Sequence, residues 1–463
     1  YIMTAQTILP ANSAASGGFQ VDNSCRFDSA SEQTLEKTQS AGNRNTATFS
    51  AWIKRTELSS NLAFFAIYGA QSDAGQIEIR FNGTGDGLQI GGYATVWEKT
   101  SASFKDISAW YHVVVAIDTT DSTANDRIKI YVNGVLQAAA ATGDLAEDED
   151  LPFGLNNADV VIGSRKMSGG LRDFFSGYMA EVVLIDGAAL APTSFGEFDS
   201  DSGIWRPIDV SGLTFGTNGF YLDFKVSANL GNDANGGTDL GETNIAAVDQ
   251  STDTCTNNFA TLNPLHRRIT SNVPTYSEGN LKLTGQTTDG ANNNAIATIQ
   301  HLKSGKWYFE VKCTTDGDTF GVGISDNPIG TNGNAASASN HVWYNIDGTI
   351  NYGTESSGNY GNTYTDADII GVAFDLDNGA IYFYKNGTIQ NSGTAARTDL
   401  LTTMVEGYTA IGFTNKGVMD FNFGSPSFAI SSGNSDGNGH GNFEFAVPSG
   451  YYAINTKNLA EYG

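Results

Sequence analysis

Acidic side chains are the residues of this sequence whose spacing comes nearest to a catalytic pattern. Glycoside hydrolysis needs two carboxylates that project into one cleft, one as an acid and the other as a base or nucleophile. The nearest run is Glu197, Asp199 and Asp201, in alternate positions. It lacks a further glutamate and lies beside a turn-rich segment rather than on a central strand. We therefore expect no glycosidase centre here.

A Gly-x-Ser-x-Gly match occurs at Gly433–Gly437, with His440 close by. A nucleophile elbow requires a strand before the serine and a helix after it, whereas this match lies within a run of Gly, Ser and Asn that indicates a loop. The 5 histidines are isolated and lack metal-ligand spacing. We interpret His112, in YHVVVAID, as an ordinary histidine of a sheet. The sequence thus predicts a protein that is not an enzyme.

Acidic loops offer a better basis for metal binding. Ca²⁺ prefers carboxylate and amide oxygens. Asp144 and Asp148 lie in the loop DLAEDED, while Asp121 and Asp126, with Asn125, fall between two strands. None of these loops has an ordered ligand code, so a solvated turn remains the alternative for each. Calcium is the one cofactor that the sequence suggests.

Aromatic side chains provide candidate ligand-binding surfaces, because a ring stacks on the apolar face of a sugar. The segment 340–364 is rich in Tyr, Asn and Gly, a mixture that gives a large contact area at low entropic cost. The alternative is that these rings pack the protein's own core. The candidates are Tyr93, Trp97, Trp343, Tyr344, Tyr352 and Tyr360.

The charge balance excludes several classes of partner. The 463 residues include 25 basic and 50 acidic side chains, a net charge of −25. A nucleic-acid binder needs a basic surface, so we expect no nucleic-acid partner. Membrane insertion is not expected either, because no run approaches the roughly 18 apolar residues of a span. The 3 cysteines are few and far apart, which predicts buried free thiols rather than disulfides.

Short alternating strands must position these side chains. In Gly75–Phe81, Ile77, Ile79 and Phe81 alternate with Glu78 and Arg80, a pattern that predicts a half-buried strand. Similar segments recur along both halves of the chain and nothing has a sustained helical period. The fold class is therefore all-β, as two tandem antiparallel β-sandwiches. The predicted parts are an arm (1–18), a sandwich (19–199), a turn-rich connector packed on the modules (200–264), a second sandwich (265–430) and a tail (431–463).

One pattern occurs in both halves. Tyr131–Gln137 and Tyr384–Gln390 share Tyr-x-Asn-Gly-x-x-Gln, and each follows a nearly continuous apolar strand. Asn-Gly is the strongest short-range signal of a two-residue hairpin turn. The pattern predicts the same hairpin twice. It reflects either a shared design or the hairpin that any antiparallel sandwich contains.

Successive strand phrases resemble two domain families. TATFSAWIKR, AWYHVVVAID, IKIYVNGVLQ, VIGS and FFSGYMAEVVLIDGAAL, in that order, are similar to laminin-G-like domains of the concanavalin-A-like lectin class. GKWYFEV, FGVGIS, DIIGVAFDLDNGAIYFYKNG, AIGF and FNFG resemble a SPRY domain, with the more specific match. The resemblance implies a concanavalin-A-like jelly roll followed by a SPRY-like sandwich, both of which bind ligands or partners.

Phrases outside the two domains carry a third resemblance. TNGFYLDF, DTCTNNFATLNPL and PSGYYAINTKNLA are similar to virion structural proteins of tailed bacteriophages, especially marine ones. The resemblance implies a tail fibre, an adhesin or a capsid appendage on the virion surface. It further implies assembly with other virion proteins and with copies of itself, often as a trimer, and contact with host-surface glycans. The alternative is a secreted or cell-surface bacterial adhesin with carbohydrate-binding modules.

Overall fold

A computed structural model describes residues 18–142, 145–266, 273–286, 293–326, 341–353 and 355–463. The described residues divide into two compact units, one that ends at Thr256 and one that begins at Asn257. Strands dominate both units, which confirms the all-β fold class. The division falls inside the segment 200–264 that the sequence predicts as a connector.

The first unit is built from short strands. They are β1 (Ser24–Phe27), β2 (Thr34–Thr38), β3 (Thr46–Arg55), β4 (Leu62–Tyr68), β5 (Gln76–Phe81), β6 (Leu88–Gly91), β7 (Val96–Thr100), β8 (Tyr111–Asp118), β9 (Ile128–Val132), β10 (Val135–Leu136), β11 (Ala139–Thr142), β12 (Asp159–Ile162), β13 (Arg165–Met167), β14 (Gly170–Arg172), β15 (Gly177–Asp186), β16 (Gly196–Phe198), β17 (Trp205–Pro207), β18 (Phe220–Leu222), β19 (Gly241–Thr243) and β20 (Gln250–Ser251).

Two 8-stranded antiparallel sheets form this sandwich. Sheet 1 has the order β10-β9-β8-β3-β15-β1-β20, with β18 also paired to β15, and sheet 2 has the order β11-β7-β6-β5-β4-β12-β2-β19. Because side chains alternate across a strand, Phe49 and Ala51 of β3 enter the core between the sheets while Trp52 points to the outer face. Ile77 and Ile79 of β5 enter the same core, as their alternation predicts.

The segment after β15 covers the outer face of sheet 1. Trp205, Phe215 and Phe220 are all buried, as their size predicts. Trp205 packs with Trp52 and the free thiol Cys255, while Phe215 packs with Val114 in a neighbouring cluster. Residues 200–256 are therefore part of the first unit, where they pack on its sandwich.

The second unit has the same character. Its elements are β21 (Thr275–Ser277), β22 (Lys282–Thr284), β23 (Asn293–Ile296), β24 (Lys306–Thr315), β25 (Thr319–Ser325), β26 (His341–Asn345), β27 (Thr349–Tyr352), β28 (Glu355–Asn359), β29 (Ile369–Asp375), β30 (Ala380–Lys385), β31 (Thr388–Ile389), β32 (Thr409–Asn415), β33 (Val418–Asn422) and β34 (Tyr452–Ala453), with helices α1 (Leu400–Thr403) and α2 (Thr456–Tyr462).

Its two sheets enclose a core rich in Phe and Tyr. Sheet 3 has the order β21-β22-β33-β24-β29-β30-β31, with β34 added in parallel to β24, and sheet 4 has the order β23-β32-β25-β26-β27-β28. Phe309 of β24 and Val322 of β25 meet in that core. The C-terminal tail packs on the outer face of sheet 3, where Phe443 contacts the ring of Tyr308. This tail is part of the fold.

The repeated Asn-Gly hairpin is confirmed in both units. Asn133 and Gly134 have φ of +49° and +76°, and Asn386 and Gly387 have φ of +47° and +74°. Positive φ at both central residues is the type I′ geometry that suits strand twist. In each unit a later segment lies against the glycine, so that an added Cβ would come within 2.4 Å of Trp205 at Gly134 and within 2.7 Å of a later ring at Gly387.

Candidate functional site

A cleft opens at one edge of the first sandwich, between β7 and β11 of sheet 2 and β9 and β10 of sheet 1. We call it the edge cleft, and its volume is about 280 Å³, close to the lower end of ordinary ligand pockets. The side chains that line it combine apolar, amide and charged groups. They are Glu98, Asn125, Asp126, Ile128, Lys129, Ile130, Leu136, Gln137 and Ala139.

Glu98 is one of two carboxylates that line the edge cleft, and unlike Asp126 it forms no ion pair among the described residues. It lies opposite Ile90 in the β6–β7 pair, and opposite residues of a pair project from the same face. Because Ile90 belongs to the core, Glu98 points into the gap between the sheets, and burial raises its pKa to about 7. Among the described residues its side-chain carboxylate accepts no hydrogen bond and forms no ion pair, so it is available to a ligand.

The rim of the edge cleft combines polar and apolar groups. Lys129 Nζ lies 3.1 Å from Asp126 Oδ1, and Gln137 Nε2 donates to the Val135 carbonyl at 2.9 Å. Val135 and Leu136 are each 55% exposed. Hydrogen-bonding groups beside exposed apolar surface suit a small ligand with hydroxyl or amino groups.

The predicted calcium ligands do not form a group in the described part of the chain. Asp121 Oδ1 accepts the Thr123 N–H at 2.8 Å, and Asp126 pairs with Lys129. Asp148 has φ of +57° in an exposed turn, and Asp144 lies outside the described residues. Among the described residues, no three His, Cys, Asp or Glu side chains are placed to hold a metal.

Most of the candidate aromatic residues lie inside the two units. Trp97, Trp343, Tyr344 and Tyr360 are buried, each at most 8% exposed, which favours the alternative that they pack the core. Two of the six differ. Tyr93 is 42% exposed, outside the lining of the edge cleft. Tyr352 is half-buried beneath Arg397, whose guanidinium lies 3.7 Å from the ring centroid. A buried ring has no face free for a sugar.

A buried serine and histidine lie together on the outer face of sheet 1. Ser50 Oγ is 2.9 Å from His112 Nε2, and Trp205 Nε1 donates to His112 Nδ1 at 2.9 Å. Because Nδ1 accepts that bond, the neutral ring carries its proton on Nε2 and donates to Ser50. A general base for a serine needs the opposite arrangement. Burial also lowers the pKa of His112 to about 3, so this pair is structural.

The remaining motifs form turns. Glu197 and Asp199 both pair with Arg206 across the β16–β17 hairpin. The described segment 431–442 contains turns and no helix after Ser435, as the loop interpretation predicts. In the described part of the chain, no helix is long and apolar enough to cross a membrane.

A buried glutamate also organises the second unit. Glu310 of β24 accepts hydrogen bonds from the tail N–H groups of Glu444 and Phe445 at 3.0 and 2.9 Å. Tyr308 and Asn422 donate to it as well. Burial raises the pKa of Glu310 to about 7, against the opposite effect of these donors. The carboxyl group therefore anchors the tail. Sequence reasoning missed this role because the tail residues that donate to Glu310 lie 134 and 135 positions away along the chain.

Comparisons with known proteins identify two domains. Residues 27–193 match the Laminin_G_3 family, described as the concanavalin A-like lectin/glucanases superfamily, and residues 306–426 match the SPRY domain. Laminin-G-like and SPRY domains, predicted from the strand phrases, are thus found.

Curated relatives match through a short segment. Ran-binding protein 10 of Danio rerio is 33% identical over 130 residues, 27% of this chain and 20% of the relative. Ran-binding protein 9 of Homo sapiens is 34% identical over 130 residues, 27% of this chain and 17% of the relative. The chain spans about a fifth of the length of these relatives.

Solved structures of similar fold cover parts of the chain. The SPRY domain of human HERC1 is 17% identical with a TM-score of 0.29, covering 35% of this chain and 96% of that one. A heptameric SAP-like pentraxin from Limulus polyphemus is 16% identical with a TM-score of 0.30, covering 37% and 78%. At these TM-scores the likenesses add nothing to the two domain matches.

Proposed function

We propose that this chain, which carries a laminin-G-like and a SPRY domain, is a non-enzymatic surface protein of a bacteriophage virion. It acts as a tail fibre or adhesin, or as a capsid appendage, and binds host-surface glycans or proteins through its sandwich modules. The edge cleft is the observation that supports the binding role. The location on a virion is supported by the sequence segments of the connector and the tail that resemble phage structural proteins. These segments lie largely outside the two domain matches.

The edge cleft suits a sugar in three respects. Glu98 offers acceptor oxygens to hydroxyl groups, and Asn125 and Gln137 offer amides that both donate and accept. Ile128 and Leu136 offer apolar contact for the carbon face of the ring. Ligand sites in general combine apolar walls with a few placed polar groups.

A glycan array with the full chain tests the binding role. We expect selective binding by the wild type, loss of that binding in Glu98→Gln, and no change in Glu197→Gln, whose exposed carboxylate lies in a different hairpin. Because burial raises the pKa of Glu98 to about 7, binding that needs its carboxylate weakens as the pH falls from 8 to 5. If the wild type binds none of the glycans on a broad array, the proposal that the edge cleft binds a glycan is contradicted.

Calcium at Asp121 and Asp126 is a separate proposal, and it is tested on the same array. If the ion orders this loop beside the edge cleft, removal of calcium with EDTA lowers the array signal and added calcium restores it. Glu98→Gln is the control, because it should lose glycan binding while calcium is still present. An array signal that EDTA leaves unchanged contradicts the calcium proposal and leaves the cleft proposal standing.

Mass spectrometry of purified phage particles tests the proposed location on the virion. We expect the chain at a stoichiometric copy number, and a homo-oligomer, often a trimer for such appendages, by light scattering of the isolated protein. The alternative is a secreted or cell-surface bacterial adhesin. A secretory signal encoded upstream of Tyr1, or absence of the chain from particles, favours that alternative.

A further inference from the structure

The edge cleft carries one negative charge that no neighbouring group balances. Three charged side chains line it, namely Glu98, Asp126 and Lys129. Lys129 Nζ lies 3.1 Å from Asp126 Oδ1, so these two opposite charges compensate each other. Glu98 has no such partner in the described part of the chain, and burial raises its pKa without a contribution from a neighbouring charge. A cationic ligand supplies the counter-charge that the cleft lacks.

The carboxylate of Glu98 is also a hydrogen-bond acceptor without a donor. An ionised carboxylate has two acceptor oxygens and nothing to donate. The strand pairing of Glu98 with Ile90 directs these oxygens between the two sheets, where the side chain is half-buried. Hydrogen bonds between charged groups are roughly twice as strong as those between neutral groups. An ammonium group, with three N–H donors and one positive charge, is therefore the chemical complement of Glu98.

The rest of the lining suits a sugar ring that carries this ammonium group. Ile128 and Leu136 give the cleft apolar walls for the carbon face of a ring, and Asn125 and Gln137 add amides. Gln137 Nε2 donates to the Val135 carbonyl at 2.9 Å, which leaves its Oε1 to accept from a sugar hydroxyl. A plain alkylammonium, such as a lysine side chain, has no hydroxyl groups for these amides to bind.

We propose that the edge cleft selects sugars that carry a free amine, such as glucosamine, through an ion pair between the ligand ammonium and Glu98. This inference rests on the proposed binding role of the cleft and names the class of glycan that it takes. Acetylation of the amine removes the positive charge and leaves one N–H donor in place of three, so an N-acetylated sugar cannot form the pair. The net charge of −25 across the whole chain also attracts cations.

Isothermal titration calorimetry with the full chain tests the selectivity on two ligands that differ only at the amine. They are the β-linked tetramer of glucosamine and its fully N-acetylated counterpart, each titrated near neutral pH. We expect the glucosamine tetramer to bind at least about tenfold more tightly, because a charged hydrogen bond replaces a neutral one. Equal affinity for the two tetramers overturns the proposal. So does a wild type that does not bind the glucosamine tetramer.

Two variants assign the selectivity to one carboxylate. Glu98→Gln removes the charge with little change in size, and we expect it to bind the glucosamine tetramer no more tightly than the acetylated one. Glu197→Gln is the matched control, because it removes one negative charge from a different hairpin, where the carboxylate pairs with Arg206, and it keeps the preference. A preference that survives in Glu98→Gln contradicts the assignment. If Glu98→Gln does not fold, the wild-type preference between the two tetramers decides the question.

The remaining outcomes separate this inference from the proposed function. Tetralysine that binds as tightly as the glucosamine tetramer, with the same loss in Glu98→Gln, overturns the assignment to an amino sugar. Equal binding of the two sugar tetramers, lost in Glu98→Gln, overturns the selectivity and leaves the glycan-binding role of the edge cleft standing. No binding of either tetramer, together with no binding on the glycan array, contradicts both.

Discussion

Substitution of Gly387 by alanine tests whether the C-terminal tail packs on the second sandwich as the structure shows. Gly387 is the second residue of the β30–β31 turn, with φ of +74°. An added Cβ would lie 2.7 Å from Phe445 Cδ1. Phe445 is itself held by its N–H bond to Glu310 at 2.9 Å. The ring must therefore move by about 0.7 Å, the difference from the 3.4 Å at which ordinary contact begins, or the turn must open.

The cost separates into two parts. The left-handed conformation costs an alanine about 1–2 kcal/mol relative to glycine. Overpacking against a held ring adds about 1–3 kcal/mol. Gly450→Ala is the matched control, because Gly450 has φ of +81° and nothing within 4 Å of the added Cβ. We expect Gly387→Ala to destabilise the second unit by about 2–5 kcal/mol and Gly450→Ala by about 1–2 kcal/mol.

Hydrogen exchange at the amides of Glu444 and Phe445 measures the effect locally, which matters in a chain of two compact units. Both amides donate to Glu310, so displacement of the tail lowers their protection. In Gly387→Ala the protection falls well below that in Gly450→Ala. Equal protection in the two variants refutes the packing of Phe445 on the turn.

Three further predictions concern buried polar groups. Burial raises the pKa of Glu310 to about 7 from an ordinary 4.5, so the folded state binds more protons between these values. The free energy of unfolding of the second unit therefore falls by about 3 kcal/mol as the pH rises from 4.5 to 7. Urea titrations at several pH values measure this dependence, and we expect Glu310→Gln to make it shallower. A pH dependence that is the same in Glu310→Gln and the wild type contradicts this prediction. Trp205→Phe removes the donor to His112 Nδ1 and costs the first unit about 1–3 kcal/mol; thermal unfolding unchanged from the wild type argues against the bond. Tyr221→Phe removes the 2.6 Å hydrogen bond to Glu181, and burial raises the pKa of Glu181 to about 7. We expect the free energy of unfolding to fall by about 1–3 kcal/mol at pH 8 and by less at pH 5, where Glu181 is protonated. Equal losses at the two pH values contradict this reasoning.

The candidate site shows where sequence reasoning stops. Trp343 and Tyr344 stand in a segment whose composition resembles a binding surface, yet both pack the second unit. Their burial depends on which strands flank β26, and composition carries no information on that. Glu98 was not predicted either, because the direction of its side chain also depends on which strand lies beside it. Its strand VWEKT has no distinctive pattern, and only its pairing with Ile90 directs the carboxylate between the sheets.

Local patterns determined the strands, the hairpins and the two domain types, because alternation and Asn-Gly turns act between residues a few positions apart. The twin hairpins at Asn133 and Asn386 and the core positions of β5 follow from them. Only the tertiary structure decided what covers the outer faces of sheets 1 and 3. The ring of Trp205 on His112 and the carboxyl group of Glu310 under the tail join residues about 90 to 130 positions apart. Such pairings depend on the whole chain's path, since the energy that selects them comes from burial that no short segment achieves alone.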